Sequence, residues 1–164
     1  MSTYVITGAA AGIGAATAEK LNERGHRVIG VDRTGSEVTA DLSTPSGRAR
    51  AADSIRELAP EGVTGFVPCA GIAGLTGVDA ALVVSVNYFG SIDLLEALRP
   101  LLVQAAENGE RPSVVLLSSN SITCQPGWAS SVAAACLGGD EEEARRTASG
   151  FDAIMHPMRP DPAT

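Results

Sequence analysis

The chain has 164 residues, 45% of them hydrophobic, and 19 acidic side chains against 12 lysines and arginines give a net charge of -7 and an isoelectric point near 4.7. That length holds one domain with a proper core and is too short for two of ordinary size. The acidity excludes nucleic acid and an anionic membrane surface as partners, because neither would attract it. No apolar run approaches the ~20 residues a bilayer requires, and no basic stretch precedes an apolar one at the N-terminus, so a soluble, cytoplasmic protein is expected. Cys69, Cys124 and Cys136 are odd in number and lack metal or redox spacing, which points to free thiols in a reducing compartment. With only His26 and His156 in the chain, a metal site built on histidine is not expected.

Tyr4-Val5-Ile6 predicts a first strand, and it runs into Thr7-Gly8-Ala9-Ala10-Ala11-Gly12-Ile13-Gly14. This glycine-spaced turn opens an alanine-rich helix from Ala15 to Arg24, with Gly25 as its C-cap. Such a turn carries backbone N–H groups to the positive end of a helix, where a pyrophosphate can sit with no side chain in the way. Gly8 is expected to make the tight turn, Gly12 to let the backbone approach the phosphates, and Gly14 to let the helix pack close to the strand. A second strand, Val28-Ile29-Gly30-Val31, ends in Asp32, at about the 20-residue distance of an acid that binds ribose hydroxyls. An ordinary strand-to-helix turn shares the bare glycine pattern; the strand before it, the helix after it and the placed acid favour a dinucleotide site.

The spacing glycine, three residues, glycine, one residue, glycine resembles the short-chain dehydrogenase/reductase family, and the resemblance extends from Tyr4 to about Gly138-Gly139. It implies an α/β fold with a doubly wound, Rossmann-like parallel sheet in order 3-2-1-4-5 and the cofactor at the switch point beside the first strand. It also implies oxidation of a secondary alcohol, or reduction of a ketone, with a nicotinamide cofactor. The carboxylate of Asp32 favours NAD over NADP, since it would accept from both ribose hydroxyls and repel a 2′-phosphate, although the neighbouring Arg33 could host that phosphate. Full-length members are considerably longer, and two further strands beyond the fifth are expected to be missing.

A short strand over Glu37-Val38-Thr39-Ala40 follows, with no room for a crossover helix before it, and ends at Asp41-Leu42. In the resembled family an acidic residue and an apolar one at this place lie against the adenine ring; a solvated turn is the plainer alternative. Thr44 then reads as N-cap of a helix with Pro45 in its first turn, carrying Ala52, Ile55 and Leu58 on one face and stopping before Pro60. Gly65-Phe66-Val67-Pro68-Cys69-Ala70-Gly71 reads as a fourth strand entering a small-residue turn. The family has asparagine, alanine and glycine here, beside the nicotinamide ribose; Cys69 replaces the asparagine, while Ala70 and Gly71 keep the room for close approach.

A long helix is predicted from Asp79 to about Glu107, with Leu82, Val86, Phe89, Leu94, Leu98 and Leu102 at helical intervals. Its Asn87 matches the family asparagine that disturbs the central helix and holds a water of the proton relay; an exposed polar position is the alternative. Pro112-Ser113-Val114-Val115-Leu116-Leu117 is uniformly apolar in the manner of a strand buried on both faces, but without the later strands it becomes an edge whose faces lose cover. In Ser118-Ser119-Asn120, the second serine, Ser119, matches the family residue that polarises the substrate.

Beyond this point the resemblance breaks. The family relies on a tyrosine and, four residues later, a lysine that lowers its pKa. The tyrosines of this chain are Tyr4 and Tyr88 and its one lysine is Lys20, all before Ser119. Two helices, Ser131 to Leu137 and Asp140 to Ala148, are predicted after it. The long interval resembles the branch containing bacterial 3-alpha-hydroxysteroid and coniferyl-alcohol dehydrogenases, with His156-Pro157 where that branch has tyrosine and proline and Pro160 at the place of the lysine. Residues 1–150 are expected to form the single dinucleotide-binding domain and 151–164 an irregular tail. The tail admits three readings: a truncated or frameshifted product, a cofactor-binding or sensing module without catalysis, or His156 as a substitute acid/base.

The expected cofactor contacts are therefore Gly8, Gly12, Ile13, Gly14, Asp32, Arg33, Asp41, Leu42, Cys69, Ala70 and Gly71. Ser119 and Asn87 are what remains of the catalytic set, with no metal. The partners implied are the dinucleotide, a small alcohol or ketone in full-length relatives, and a second copy of the chain along the long central helix.

Overall fold

The computed structural model describes residues 1–74, 77–119 and 130–155. Five parallel strands, β1 (Thr3–Thr7), β2 (Arg27–Asp32), β3 (Val38–Thr39), β4 (Gly65–Pro68) and β5 (Ser113–Val114), form one sheet in the order β3-β2-β1-β4-β5. This is the predicted order. β1 lies at its centre, with Val5 opposite both Ile29 and Phe66. Val5, Ile6, Ile29, Val31 and Phe66 are fully buried, as strands covered on both faces require.

Helix α1 (Gly12–Glu23) follows the glycine turn, and α2 (Pro45–Leu58) follows β3. Thr44 caps α2 as its sequence suggests: its hydroxyl accepts from the Gly47 N–H at 3.0 Å, with proline in the first turn. The inward face of α2 is Arg48, Ala51, Ala52 and Ile55. The expected Leu58 is exposed, because the chain leaves helical conformation at Ala59 and turns that residue inward instead.

Asp79 caps α3 (Ala80–Val84), accepting from the Ala81 N–H at 2.9 Å. A π-helical turn, Ser85–Phe89, and α4 (Gly90–Glu107) continue it as one helix, Ala80–Glu107. By length and composition alone this helix could cross a membrane, but core helices of soluble proteins share that length and composition. One of its faces is buried: Leu94, Leu98 and Leu101 pack with Ala51, Ile55, Val63 and Phe66 in the main core.

β5 is shorter than expected. Val115 still donates to the Phe66 carbonyl at 3.0 Å, but the ladder ends there. The next rung on that side would need an N–H from Pro68, and proline has none. Val114, Val115, Leu116 and Leu117 are 37%, 52%, 53% and 49% exposed, in keeping with an uncovered edge rather than a doubly buried strand.

Helices α5 (Ser130–Gly138) and α6 (Glu141–Met155) pack on each other, and α6 packs on α3 and the π turn. Phe89, Cys136 and Ala144 are buried there, flanked by Val84, Tyr88, Val132 and Ala135. α6 runs to Met155, five residues into the segment expected to be irregular. Its start is well capped, with Asp140 accepting from the Glu143 N–H at 3.0 Å and three glutamates in the first turn, and no proline follows before Pro157.

Candidate functional site

Four connections leave the carboxyl ends of β1, β2, β3 and β4 and converge on one cleft of about 610 Å³. Gly8, Ala11, Gly12 and Ile13 line it from the first, Asp32 and Arg33 from the second, Ala40 to Ser43 from the third, and Cys69 to Ile72 from the fourth. Leu82 and Val86 close it from the long helix. The chain reverses its direction of sheet growth at β1, so this is the crevice where open α/β sheets bind ligands.

The glycine turn is built by contact limits. Gly8 has φ +66°, and a side chain there would press on the Ala70 backbone at 2.8 Å. Thr7 holds the same two turns together: its carbonyl accepts from Cys69 at 3.2 Å and its hydroxyl from Ala70 at 3.0 Å. Gly14 does not line the cleft; a Cβ there would collide with the Gly8 carbonyl, so the helix start packs against the turn itself and not only against β1. Gly12 has φ +57° and open space where a side chain would stand, at the N-terminal end of α1. The first turn of α1 holds no acidic residue, which leaves its positive end free for an anion.

At the end of β2, Asp32 Oδ2 accepts from the Ala10 N–H at 3.0 Å and Oδ1 from the Arg33 N–H at 2.7 Å. Each carboxylate oxygen has a second lone pair, so the side chain can brace the glycine turn and still accept from a ligand. After β3, the hydroxyl and N–H of Ser43 hold the Asp41 carboxyl below its ordinary pKa, with Arg33 and Arg50 adding to the effect. Leu42 is buried in the core and also lines the cleft. Cys69, half-buried, has its thiol pKa pushed up by burial. Ten of the eleven predicted cofactor residues thus share one cleft, Gly14 being the exception. Ala11, Ala40, Ser43, Ile72, Leu82 and Val86 join them; no local pattern distinguishes these six from ordinary loop and helix residues.

The catalytic remnant is placed differently. Asn87 lies in the π turn, behind the cleft wall: its Oδ1 accepts from the Ile72 N–H at 2.8 Å and its Nδ2 donates to the Ile72 carbonyl at 3.0 Å. Ser119 is exposed beyond β5 and does not line the cleft. Tyr4 stacks edge-on against His26, Tyr88 against Phe89, and Lys20 pairs with Glu23 on α1, so none of the three lines the cleft. Among the described residues no group of acidic, histidine or cysteine side chains could hold a metal ion. Asn120, Cys124 and His156 lie outside the described residues.

Comparison with known proteins agrees with this geometry. Residues 4–135 match the model of the NAD dependent epimerase/dehydratase family. The chain is 40% identical over 145 residues to 3-alpha-hydroxysteroid dehydrogenase/carbonyl reductase of Comamonas testosteroni, covering 88% of this chain and 54% of that protein. It is 41% identical over 100 residues to coniferyl-alcohol dehydrogenase of Pseudomonas sp. strain HR199, covering 57% and 37%. The crystal structure of 3-alpha-hydroxysteroid dehydrogenase from Pseudomonas sp. B-0831, complexed with NADH, superposes with a TM-score of 0.78 at 41% identity, covering 92% of this chain and 62% of that one. The chain spans about half the length of the curated relatives it matches. With the sheet order, the glycine turn and these matches in agreement, the chain belongs to the NAD dependent epimerase/dehydratase family, and its likeness to the short-chain dehydrogenases/reductases is shown by the same matches.

Proposed function

We propose that the cleft binds NAD(H), and that the chain is the cofactor-binding part of an oxidoreductase acting on secondary alcohols or ketones. The observation that carries this is the convergence of ten predicted cofactor residues on one cleft at the switch point of the sheet. The open space at Gly12 and the unblocked start of α1 suit a pyrophosphate. Asp32 suits the adenosine ribose, Asp41 and Leu42 the adenine, and the small turn at Ala70 and Gly71, with Cys69, the nicotinamide end. The relatives' names, 3-alpha-hydroxysteroid and coniferyl-alcohol dehydrogenase, support an alcohol or ketone as substrate class, and the free thiols Cys69 and Cys136 support a reducing, cytoplasmic setting. Pairing of two copies along the long central helix would have to use its C-terminal half, since α6 packs on α3 and the π turn.

The nicotinamide, when bound, supplies or accepts the hydride. The chain's own residues would have to move the alcohol proton, and here the set is incomplete. Ser119 can donate a hydrogen bond to a carbonyl, yet a serine hydroxyl is no base at neutral pH. A positioned acid/base usually contributes about 10²- to 10⁴-fold, and both tyrosines and the lysine stand off the cleft. The reading is therefore of a chain that binds the dinucleotide and, by itself, does not transfer hydride at a useful rate. This supports a dinucleotide-binding part that does not itself complete the proton relay, with a dinucleotide-binding or sensing module without catalysis as the second reading.

The test follows NADH absorbance with a panel of secondary alcohols and steroid ketones. It compares this chain with a version whose residues from 151 onward are replaced by the corresponding C-terminal part of a full-length relative. Activity in the repaired chain alone supports the reading. Turnover by the unmodified chain that disappears in His156→Ala overturns it in favour of histidine as the acid/base.

A further inference from the structure

We infer that Arg48 is a positioning residue for the dinucleotide cleft, coupling helix α6 to the cleft wall at Leu42; this rests on the dinucleotide reading above. Arg48 stands in the first turns of α2 with its side chain 4% exposed. A guanidinium at that depth persists only when its charge and its donors are matched. Three elements supply the match. Nη1 donates to the Leu42 carbonyl at 3.0 Å. The Glu141 carboxylate, at the start of α6, pairs with Nη2 and lies 3.4 Å from Nη1. Asp93 of α4 brings Oδ2 within 2.9 Å of Nε, at an angle that makes no hydrogen bond, so that contact is Coulombic.

The arrangement has a direction. Glu141 is itself only 17% exposed, whereas Asp93 is 44% exposed, so Glu141 is the better-shielded counter-charge and the one that fixes the fork. Held from behind, the guanidinium aims Nη1 at Leu42, whose neighbours Asp41 and Ser43 line the cleft with it. Without the Glu141 charge, the buried cation keeps one half-exposed acid and turns toward it, releasing the Leu42 carbonyl. The wall that should face the adenine then loses its support, although none of the described α6 side chains lines the cleft. The residues joined are 93 positions apart, so the adenine side of the site answers to the Glu141 carboxylate at the start of α6.

The experiment measures AMP and NAD binding by calorimetry for the full chain and for Glu141→Gln, Arg48→Lys and Arg145→Met. Arg145 anchors α6 elsewhere, donating to Ser85 Oγ at 2.5 Å and the Ala81 carbonyl at 3.3 Å. Amide hydrogen exchange across residues 41–47 is followed in each protein without ligand. Glu141→Gln and Arg48→Lys should weaken AMP binding about three- to tenfold, the worth of one hydrogen bond, and speed exchange across residues 41–47. Arg145→Met should lower Tm with AMP affinity unchanged. Wild-type AMP affinity and exchange in both Glu141→Gln and Arg48→Lys would overturn the inference, as would an equal loss of affinity in Arg145→Met. If the wild-type chain binds neither AMP nor NAD while exchange still responds to Glu141→Gln, the dinucleotide reading fails and the coupling of α6 to Leu42 stands.

Discussion

The side chain of Asn87 and the backbone of Ile72 exchange two hydrogen bonds, one in each direction, at 2.8 and 3.0 Å. The π turn at Ser85–Phe89 brings Asn87 to this position, and the pair fastens the loop after β4 to the long helix. Gly71 lies alongside, where a Cβ would stand 3.3 Å from Asn87 Oδ1. The local distortion of the helix thus shapes the cleft wall at Gly71 and Ile72, the end proposed for the nicotinamide. Asn87→Ala should cost about 1 to 2 kcal/mol of stability, since both bonds are exposed and each nets about 0.5–1.5 kcal/mol. Denaturant melts with an unchanged slope and a lower midpoint would bear this out; an unaltered midpoint would count against it.

Asp32 should set cofactor preference. Its carboxylate sits at the end of β2 on the cleft surface, where a 2′-phosphate would meet like charge. NAD is expected to bind about tenfold tighter than NADP, roughly 1.4 kcal/mol, a modest margin because Arg33 is adjacent. In Asp32→Ala the margin should vanish or reverse. Calorimetric titration with both cofactors decides it, and tighter NADP binding by the wild-type chain would overturn the assignment.

Asp41 should make stability fall in acid. Ser43 lowers its folded pKa beneath the ordinary 3.8, so the folded state binds this proton less readily than the unfolded chain. The resulting stabilisation is present above about pH 4 and is lost as pH falls toward the folded pKa. Asp41→Asn should therefore lower stability at pH 7 slightly and remove part of the decline between about pH 4 and pH 2. Parallel acid titrations of the two proteins, followed by circular dichroism, would show the difference or its absence.

The edge at β5 should drive self-association. Four consecutive large apolar side chains, Val114 to Leu117, are more than a third exposed, and Pro68 ends the pairing that would hold them. An open, uncharged edge of this kind is an aggregation template. Concentration-dependent association by light scattering is expected, relieved in Leu116→Lys. A soluble monomer with a sharp cooperative melt at high concentration would contradict it.

Much of the framework is legible in the sequence because its causes are local. The φ values of Gly8 and Gly12, the Thr44 cap and the apolar runs of β1, β2 and β4 each follow from a few neighbouring residues. Parallel strands joined by short connections leave few ways to arrange themselves, so the order β3-β2-β1-β4-β5 and the convergence of Gly8, Asp32, Leu42 and Ala70 on one cleft could be anticipated. What tertiary structure alone decides are relationships between distant residues. Leu42, Asp93 and Glu141, from three separate parts of the chain, surround Arg48. The two bonds between the Asn87 amide and the Ile72 backbone exist because the π turn brings two separate parts of the chain together. The fifth strand is expected to run through Leu117, but Pro68, on the neighbouring strand, withholds the N–H that would extend the ladder. Each depends on which side chain or backbone group another element brings within about 3 Å, a distance that the spacing of residues along a chain does not encode.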